Sequence, residues 1–401
     1  MPRFKYEGRT KAGKKNGVVT AESKREALVK LRGQGVRVLQ INEMPETLMT
    51  MEISLGGRVK LQDFVIFLRQ FSTLLKAGVT VVDSTNILAS QTSSKTLKKT
   101  LLAVEEDLRG GIPLSQAAAK HKKVFTPMFI NMVYAGEAGG NLDGTLERLA
   151  TYYEKQHRTR QKVRSALTYP AFVGVMAIVV VIFMLVKIVP TFVSMLKNYK
   201  ASLPAVTRLV LSASGFMQHY WWLVVLILIG VYVLLVVLRK NKTSKFYLDY
   251  AMLKFPIFGK LVQKSIIARM TRTLSSLFSS SVPILQALSI VEAIVENEVM
   301  TKVLRQARDA LEKGQSMTEP MRRHWVFPPL VTQMIAIGEE TGALDAMLGK
   351  VADFYEAEVE AATDQIKALI EPFMIVVLAA VVGTIIAAIM IPMFEIYNNV
   401  Q

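Results

Sequence analysis

The sequence predicts a mainly α-helical, polytopic membrane protein: two repeated cytoplasmic helical-bundle domains, three transmembrane helices and a small N-terminal α+β module. Three observations carry that prediction. Mean hydropathy over the 401 residues is +0.31, a positive value that calls for lipid as part of the environment. Three stretches meet the length of roughly 20 apolar residues that a membrane helix needs. The chain also repeats itself at an offset of 202 residues.

Residues 1–45 read as the small module. Phe4, Tyr6 and Val18 lie in strand-like runs separated by a Gly/Lys turn. Ser23-x-x-Glu26 forms a capping box for a helix that ends at Gly33–Gly35, and Val36, Val38 and Ile41 belong to a third strand. Eleven Lys/Arg against three acids in residues 1–41 suit a protein or anionic lipid contact. Nucleic acid is not expected as a partner, since base-reading and stacking residues are missing from the pattern. Residues 46–60, with Gly56 and Gly57, read as a linker.

The first bundle is expected over 61–165, followed by a span over 166–196 whose single charge is Lys187, placed to snorkel. A loop over 197–219 leads to a second span at 220–238, which has no charge and opens on Tyr220, Trp221 and Trp222. The second bundle follows at 239–370, then a third span over 371–394, without charge from Pro372 to Phe394, and a tail at 395–401. Lys155, Arg158, Arg160, Lys162 and Arg164 precede the first span, and Arg239, Lys240, Lys242 and Lys245 follow the second. Basic flanks stay inside, so the N-terminal region and both bundles are expected in the cytoplasm, with the loop and tail outside. No apolar run precedes residue 170, so no cleaved secretory signal is expected.

The repeat is read residue by residue. Gly136-Glu137-x-x-Gly140-x-x-Asp143 returns as Gly338-Glu339-x-x-Gly342-x-x-Asp345, and Pro170, Pro190 and Phe192 return as Pro372, Pro392 and Phe394. Upstream the offset is 203, with Leu74 matching Leu277 and Gly111 matching Gly314, so the second copy lacks one residue. Leu142, Leu146, Leu149 and Tyr153 match Leu344, Leu348, Val351 and Tyr355, a helical stripe in each copy. The middle span has no counterpart; it returns the chain so that both copies face the same way. Pro170 and Pro372 mark either a kink or a fresh helix start near the lipid.

Candidate chemistry is sparse. With no cysteine there are no disulfides, thiolate metal sites or cysteine nucleophiles. The glycines at 136–144 lack the lysine of a phosphate loop, so they are expected to cap one helix and turn into the next, with Asp143 and Asp345 at the helix starts. His121, His157, His219 and His324 show no ligand spacing, and Glu371 is the one carboxylate at the mouth of a span. No catalytic, cofactor or metal site is expected, and the chain is read as a non-enzyme.

Lys162-Val163-Arg-Ser-Ala166-Leu167-Thr-Tyr169-Pro170, followed by Ile188-Val189-Pro190, resembles the signature of the type II secretion F / type IV pilus PilC family. The opening Phe4-Lys-Tyr6-Glu-Gly8 and the Gly-Glu turns agree; Ser281 departs, standing where the first copy has Gly78. The resemblance implies a bacterial inner-membrane platform under an assembling pilus or pseudopilus. It implies a hexameric cytoplasmic assembly ATPase, pilins or pseudopilins and other inner-membrane assembly proteins as partners, and a homo-oligomer. The repeated turns, with Gly136, Glu137, Gly140, Asp143, Gly338, Glu339, Gly342 and Asp345, are the candidate ATPase contact. The competing class is an oligomeric membrane transporter or channel component, which needs polar or broken helices along a path.

Overall fold

The computed structural model describes residues 3–10, 13–20, 28, 31–32, 36–43, 59–192 and 204–399. The Ser23–Glu26 box, the Gly33–Gly35 stop, most of the 46–60 linker and the loop lysines Lys197 and Lys200 lie outside these residues. The chain divides into two compact units, 1–57 and 58–401.

In the first unit, strands β1 (Arg3–Thr10), β2 (Gly13–Thr20) and β3 (Arg37–Glu43) form an antiparallel sheet of order β2-β1-β3. Leu28, Leu31 and Arg32 between β2 and β3 are helical. Tyr6, Leu31, Val36 and Ile41 make the core. The pairing of Glu7 with Gln40 and of Gly8 with Val38 leaves Leu39 as an extra, exposed residue. That β-bulge explains why the apolar spacing slips from Val38 to Ile41 rather than alternating.

The second unit holds the repeat. Its first copy is α1 (Leu61–Lys76), α2 (Val81–Gln91), α3 (Lys95–Arg109), α4 (Leu114–Ala119), α5 (Pro127–Ala138) and α6 (Leu142–Phe183), and α6 continues through a π-helical turn at Met184–Ile188. Two helices without counterpart follow, α7 (Ala205–Lys240) and α8 (Lys242–Lys254). The second copy is α9 (Phe258–Phe278), α10 (Ile284–Ile294), α11 (Glu298–Glu312), α12 (Thr318–Arg322), α13 (Pro329–Thr341) and α14 (Leu344–Asn399).

The helix junctions are built alike. Val79 N–H reaches the Leu74 carbonyl and Gly78 N–H the Leu75 carbonyl; Val282 to Leu277 and Ser281 to Phe278 repeat this closure. Such a closure puts one residue in the left-handed region. Gly78 has φ +84°, and Ser281 carries φ +59° with a side chain, so the departure noted in the sequence is a strained junction.

The buried core is one cluster running through both copies, from Phe64 to Tyr355, rather than two separate cores. The first copy fills it with rings: Tyr153 meets Phe64 edge-on at 5.0 Å and Phe125 stacks on Phe129 at 4.7 Å. At the positions of Phe64, Phe67 and Phe71 the second copy has Ile267, Met270 and Leu274, all fully buried. Tyr152 joins the copies; its hydroxyl lies 3.0 Å from Thr273 Oγ1 in a buried contact.

Among the described residues, three helices are long and apolar enough to cross a membrane: Leu142–Phe192, Ala205–Lys240 and Leu344–Phe394. Two expectations about the spans change. Pro170 and Pro372 lie inside continuous helices, so bundle and span share one helix and neither proline starts a new one. The loop placed at 197–219 is helical from Ala205 onward, and the tail placed at 395–401 is helical to Asn399. The reason at 205–219 is tertiary: Thr207, Val210 and Ser214 are buried against α6 and α14. Tyr220, expected to open the second span, is instead a kink within α7 (φ −121°, ψ 17°).

Candidate functional site: the repeated turns, the seam and the groove between the spans

The turns that recur in the sequence share one backbone geometry. Gly140 and Gly342 hold φ +64° and +70°, where a side chain is strained. Gly136 packs so tightly that a Cβ would stand 2.6 Å from Thr145 Oγ1. The cap of α6 is Asn141, whose Oδ1 accepts from Gly144 N–H at 3.2 Å; Asp143 and Asp345 sit one step further, in the first turns of α6 and α14. Ala138, Gly139, Gly140, Asn141 and Asp143 are exposed, as are Glu340, Thr341 and Gly342.

The two glutamates point inward. Glu137 accepts from the Ser115 hydroxyl at 2.5 Å and the Ser115 N–H at 3.3 Å, at the N-terminus of α4. Glu339 does the same at α12, accepting from Ser316 Oγ at 2.6 Å, Met317 N–H at 2.9 Å and Thr318 Oγ1 at 2.5 Å. Ser115 and Thr318 are repeat equivalents, so each copy uses a carboxylate to satisfy the free N–H groups of its shortest helix. Both carboxylates are thus engaged within the chain.

Arginine clamps brace each copy from within, and two lysines form a charged seam between the copies. Arg69 donates to Glu154 through Nε and Nη2 and to Glu147 through Nη1, each at 2.6 Å. Its repeat equivalent Arg272 grips Glu356 at 2.7 and 2.9 Å and also pairs with Asp353. The Arg69 and Ser72 hydrogen bonds hold the Glu147 carboxyl down at about 2. Burial pushes the Tyr152 hydroxyl above its ordinary range. Burial alone would raise Asp353, but Lys155 and Arg272 outweigh it and the carboxyl lies lower than usual. Lys155 crosses to Asp353 at 2.7 Å, and Lys162 pairs with Glu360. Sequence reading missed these arginines, although Arg69 and Arg272 stand at the repeat offset.

The signature residues occupy the passage from seam to span. Lys162 is in the seam and Val163 is half-buried. Ala166, Leu167, Tyr169 and Pro170 begin the apolar surface, with Leu167 and Tyr169 exposed. Ile188, Val189 and Pro190 mark the π turn, in which Val189 N–H bonds the Met184 carbonyl. In that register the Leu185 carbonyl faces position 190, a proline with no N–H. Ser214 of α7 supplies the missing donor at 2.5 Å. In α14 the Ala388 carbonyl would accept from residue 392, also proline, and Thr207 of α7 fills that gap at 2.8 Å. Ser214 and Thr207 stand two turns apart on one face of α7.

Between these tied far ends and the seam, α6, α7 and α14 enclose a groove of about 1080 Å³. Ile178, Val181, Trp221, Val225, Phe373 and Val377 represent its three walls, and Gln218 is its polar member. Within the apolar windows only 6, 0 and 11% of residues are buried, so the spans leave most of their apolar surface open. Glu371, the carboxylate at the mouth of the third span, is exposed.

A family model described as "Type II secretion system (T2SS), protein F" matches residues 67–190 and 270–392. Its starts differ by 203 and its ends by 202, the same two offsets the sequence shows. The chain belongs to the type II secretion F family. A second model, the N-terminal domain of that protein, matches residues 1–42. Among curated relatives, the type IV pilus assembly protein PilC of Thermus thermophilus is 37% identical over the whole of both chains. PilC of Myxococcus xanthus is 34% identical over 99% of this chain and 96% of its own. The type II secretion system protein F of Xanthomonas campestris is 34% identical over 84% of this chain and 83% of its own. Family and spans together make this an inner-membrane protein of the pilus and secretion class.

Proposed function

We propose that the chain is a non-enzymatic inner-membrane platform for building a type IV pilus or a type II secretion or competence pseudopilus. It couples a cytoplasmic assembly ATPase to the insertion of pilins. The observation that carries this reading is the groove of about 1080 Å³ between three spans, apolar and continuous with helices that run down into the bundles. An apolar groove suits the apolar helix of a subunit leaving the bilayer; an ion path would need charged or broken segments along it. Because bundle and span share one continuous helix in α6 and in α14, a push on the bundles is passed to the groove walls along those helices. The relatives' names, pilus assembly and type II secretion, support the same reading. The basic flanks support a cytoplasmic position for the bundles. There the exposed tips of the Gly136–Gly144 and Gly338–Asp345 turns, rather than Glu137 and Glu339, are the proposed ATPase contact.

Site-specific photocrosslinking in cells tests the platform role. Probes at Ile178 and Val377, in the groove, should capture the major pilin, and a probe at the exposed Leu234 should not. Equal capture from all three, or from Leu234 alone, would remove the groove from the mechanism. Reporter fusions after Lys155 and Lys313 should read cytoplasmic, and fusions after Asn399 external; an external reading at Lys313 would overturn the orientation.

A further inference from the structure

The two copies differ where α6 leaves the bundle. A cleft of about 310 Å³ opens there between α6 and α9. Its lining brings together Lys155, Arg160, Arg164, Arg269 and Arg272, with Glu356 as the single carboxylate. Glu356 is already held by Arg272 at 2.7 Å and faces Lys155 at 3.6 Å. Arg269 reaches only the outlying Glu296, at 3.3 Å. Arg160 and Arg164 are exposed and have no ion-pair partner among the described residues. Tyr152, Thr159 and Ser265 add hydroxyls, and the Tyr152–Thr273 contact closes the deep end.

The repeat supplies an internal comparison. Positions 160 and 164 correspond to Ala362 and Ile366, which are buried, so the second copy closes the place that the first leaves open and cationic. Packing alone therefore does not call for arginines here. Depth matters as well. At 1.5 Å per residue, Arg164 and Arg160 lie about 3 and 9 Å below Ala166, where the span begins. A polar headgroup layer is roughly 5–7 Å thick on each side of the hydrocarbon. Arg164 thus starts from within the headgroup layer and Arg160 from just beneath it, with Tyr169 above them.

We propose that this cleft binds the phosphate of an anionic phospholipid, with Arg160 and Arg164 as its principal ligands and Arg269 as the third. Guanidinium groups recognise phosphate oxygens in pairs. A bound headgroup fills the cleft between the copies and fixes the depth at which the bundles meet the membrane. Soluble phosphate shares the chemistry, but only a lipid arrives at this level already held by its chains.

Native mass spectrometry of the full-length chain tests this, using micelles doped with dioleoyl phosphatidylglycerol or dioleoyl phosphatidylcholine. Wild type should retain one phosphatidylglycerol per chain and no comparable phosphatidylcholine. Arg160→Gln with Arg164→Gln should weaken that binding by between about 10- and 30-fold, from the worth of two cations near an anionic surface. Arg160→Lys with Arg164→Lys should keep most of it. Arg239→Gln with Lys240→Gln removes the same charge at the bundle end of α7, outside the cleft, and should leave it unchanged. Melting in phosphatidylcholine micelles should be the same for all variants, which separates binding from folding. Unchanged binding in the glutamine pair, or an equal loss in the Arg239/Lys240 pair, would overturn the site. Displacement of the adduct by millimolar inorganic phosphate would overturn its lipid source.

Discussion

Thr207→Val is the sharpest probe of how the far ends of the spans are held. The substitution keeps the volume of a residue that is 3% exposed and removes only the hydroxyl that donates to the Ala388 carbonyl at 2.8 Å. That carbonyl has no donor within its own helix because the residue four positions on is Pro392. Polar contacts between membrane helices average about 0.6 kcal/mol and reach about 1.7. An orphaned carbonyl belongs at the upper end, so Thr207→Val should cost about 1–1.7 kcal/mol. Pro392→Ala supplies a backbone N–H at the vacant position. In that background the carbonyl is satisfied by its own helix, and Thr207→Val should cost a few tenths of a kcal/mol. The four-member cycle thus predicts a coupling of about 1 kcal/mol, read from unfolding titrations in mixed micelles by circular dichroism. Equal costs with proline and with alanine at 392 would show that the hydroxyl is not replacing the missing N–H, and the clip would be refuted.

Ser281→Gly should raise stability by about 0.5–1 kcal/mol, because it relieves a side chain at φ +59°, and Gly78→Ser should lower it comparably. Thermal melts decide this, and a destabilised Ser281→Gly would contradict the strained junction. Glu147 is held near 2 against an ordinary 4.5, so its share of stability is present above pH 4.5 and is lost as pH falls from there towards 2. With a third of the carboxylate side chain exposed, that share is about 1 kcal/mol after screening, and Glu147→Gln should flatten stability against pH in this window. Glu137→Lys sets a cation against the N-terminus of α4 and leaves Ser115 unpaired, which should cost about 1–3 kcal/mol, with Glu137→Gln milder. A Glu137→Lys domain that melts like wild type would return this residue to the list of surface contacts.

The sequence carried the architecture because duplication prints each structural need twice. The stripe Leu142, Leu146, Leu149 and Tyr153 lies along the bundle side of α6, with Leu146 and Leu149 fully buried, and its copy does the same on α14. The glycines of the turns were legible for a related reason: a left-handed backbone demands glycine, and glycine leaves a mark in the letters. What stayed hidden depends on partners remote in sequence. Glu137 and Ser115 are 22 residues apart, and nothing between them signals that one caps the other's helix. The helical start at Ala205 follows from hydroxyls that meet carbonyls 181 and 29 residues away. Local hydropathy reads that segment as a loop because its polar atoms look solvated when their partners are out of view. The continuity of α6 and α14 through proline was hidden for the opposite reason. A breaker is visible in the letters, while its tolerance inside a helix that enters lipid, where the backbone must satisfy itself, is not.

The divergence of the copies explains why the groove stays open. On α6 the seam carries Lys155 and Lys162; the equivalent positions on α14 are Ala357 and Asp364. On α14 it carries Asp353, Glu356 and Glu360, where α6 has Thr151, Glu154 and Arg158. Two first copies set face to face would oppose Lys162 to Arg158 and leave Lys155 facing Thr151 in place of Asp353, so the charges favour pairing one copy with the other within a chain. That pairing fixes the bundle ends of α6 and α14, while Ser214 and Thr207 fix their far ends through α7. Val189, Val210, Ile385 and Ala388 form a small buried knot beside these clips. Between the two fastenings the spans leave most of their apolar surface open. Packing contacts along the whole span would stabilise the membrane domain further, but they would close the apolar surface that a passing helix needs. Polar fastenings at both ends keep three spans in register while leaving their middles unpaired, and this is the arrangement that a groove for transient occupants requires.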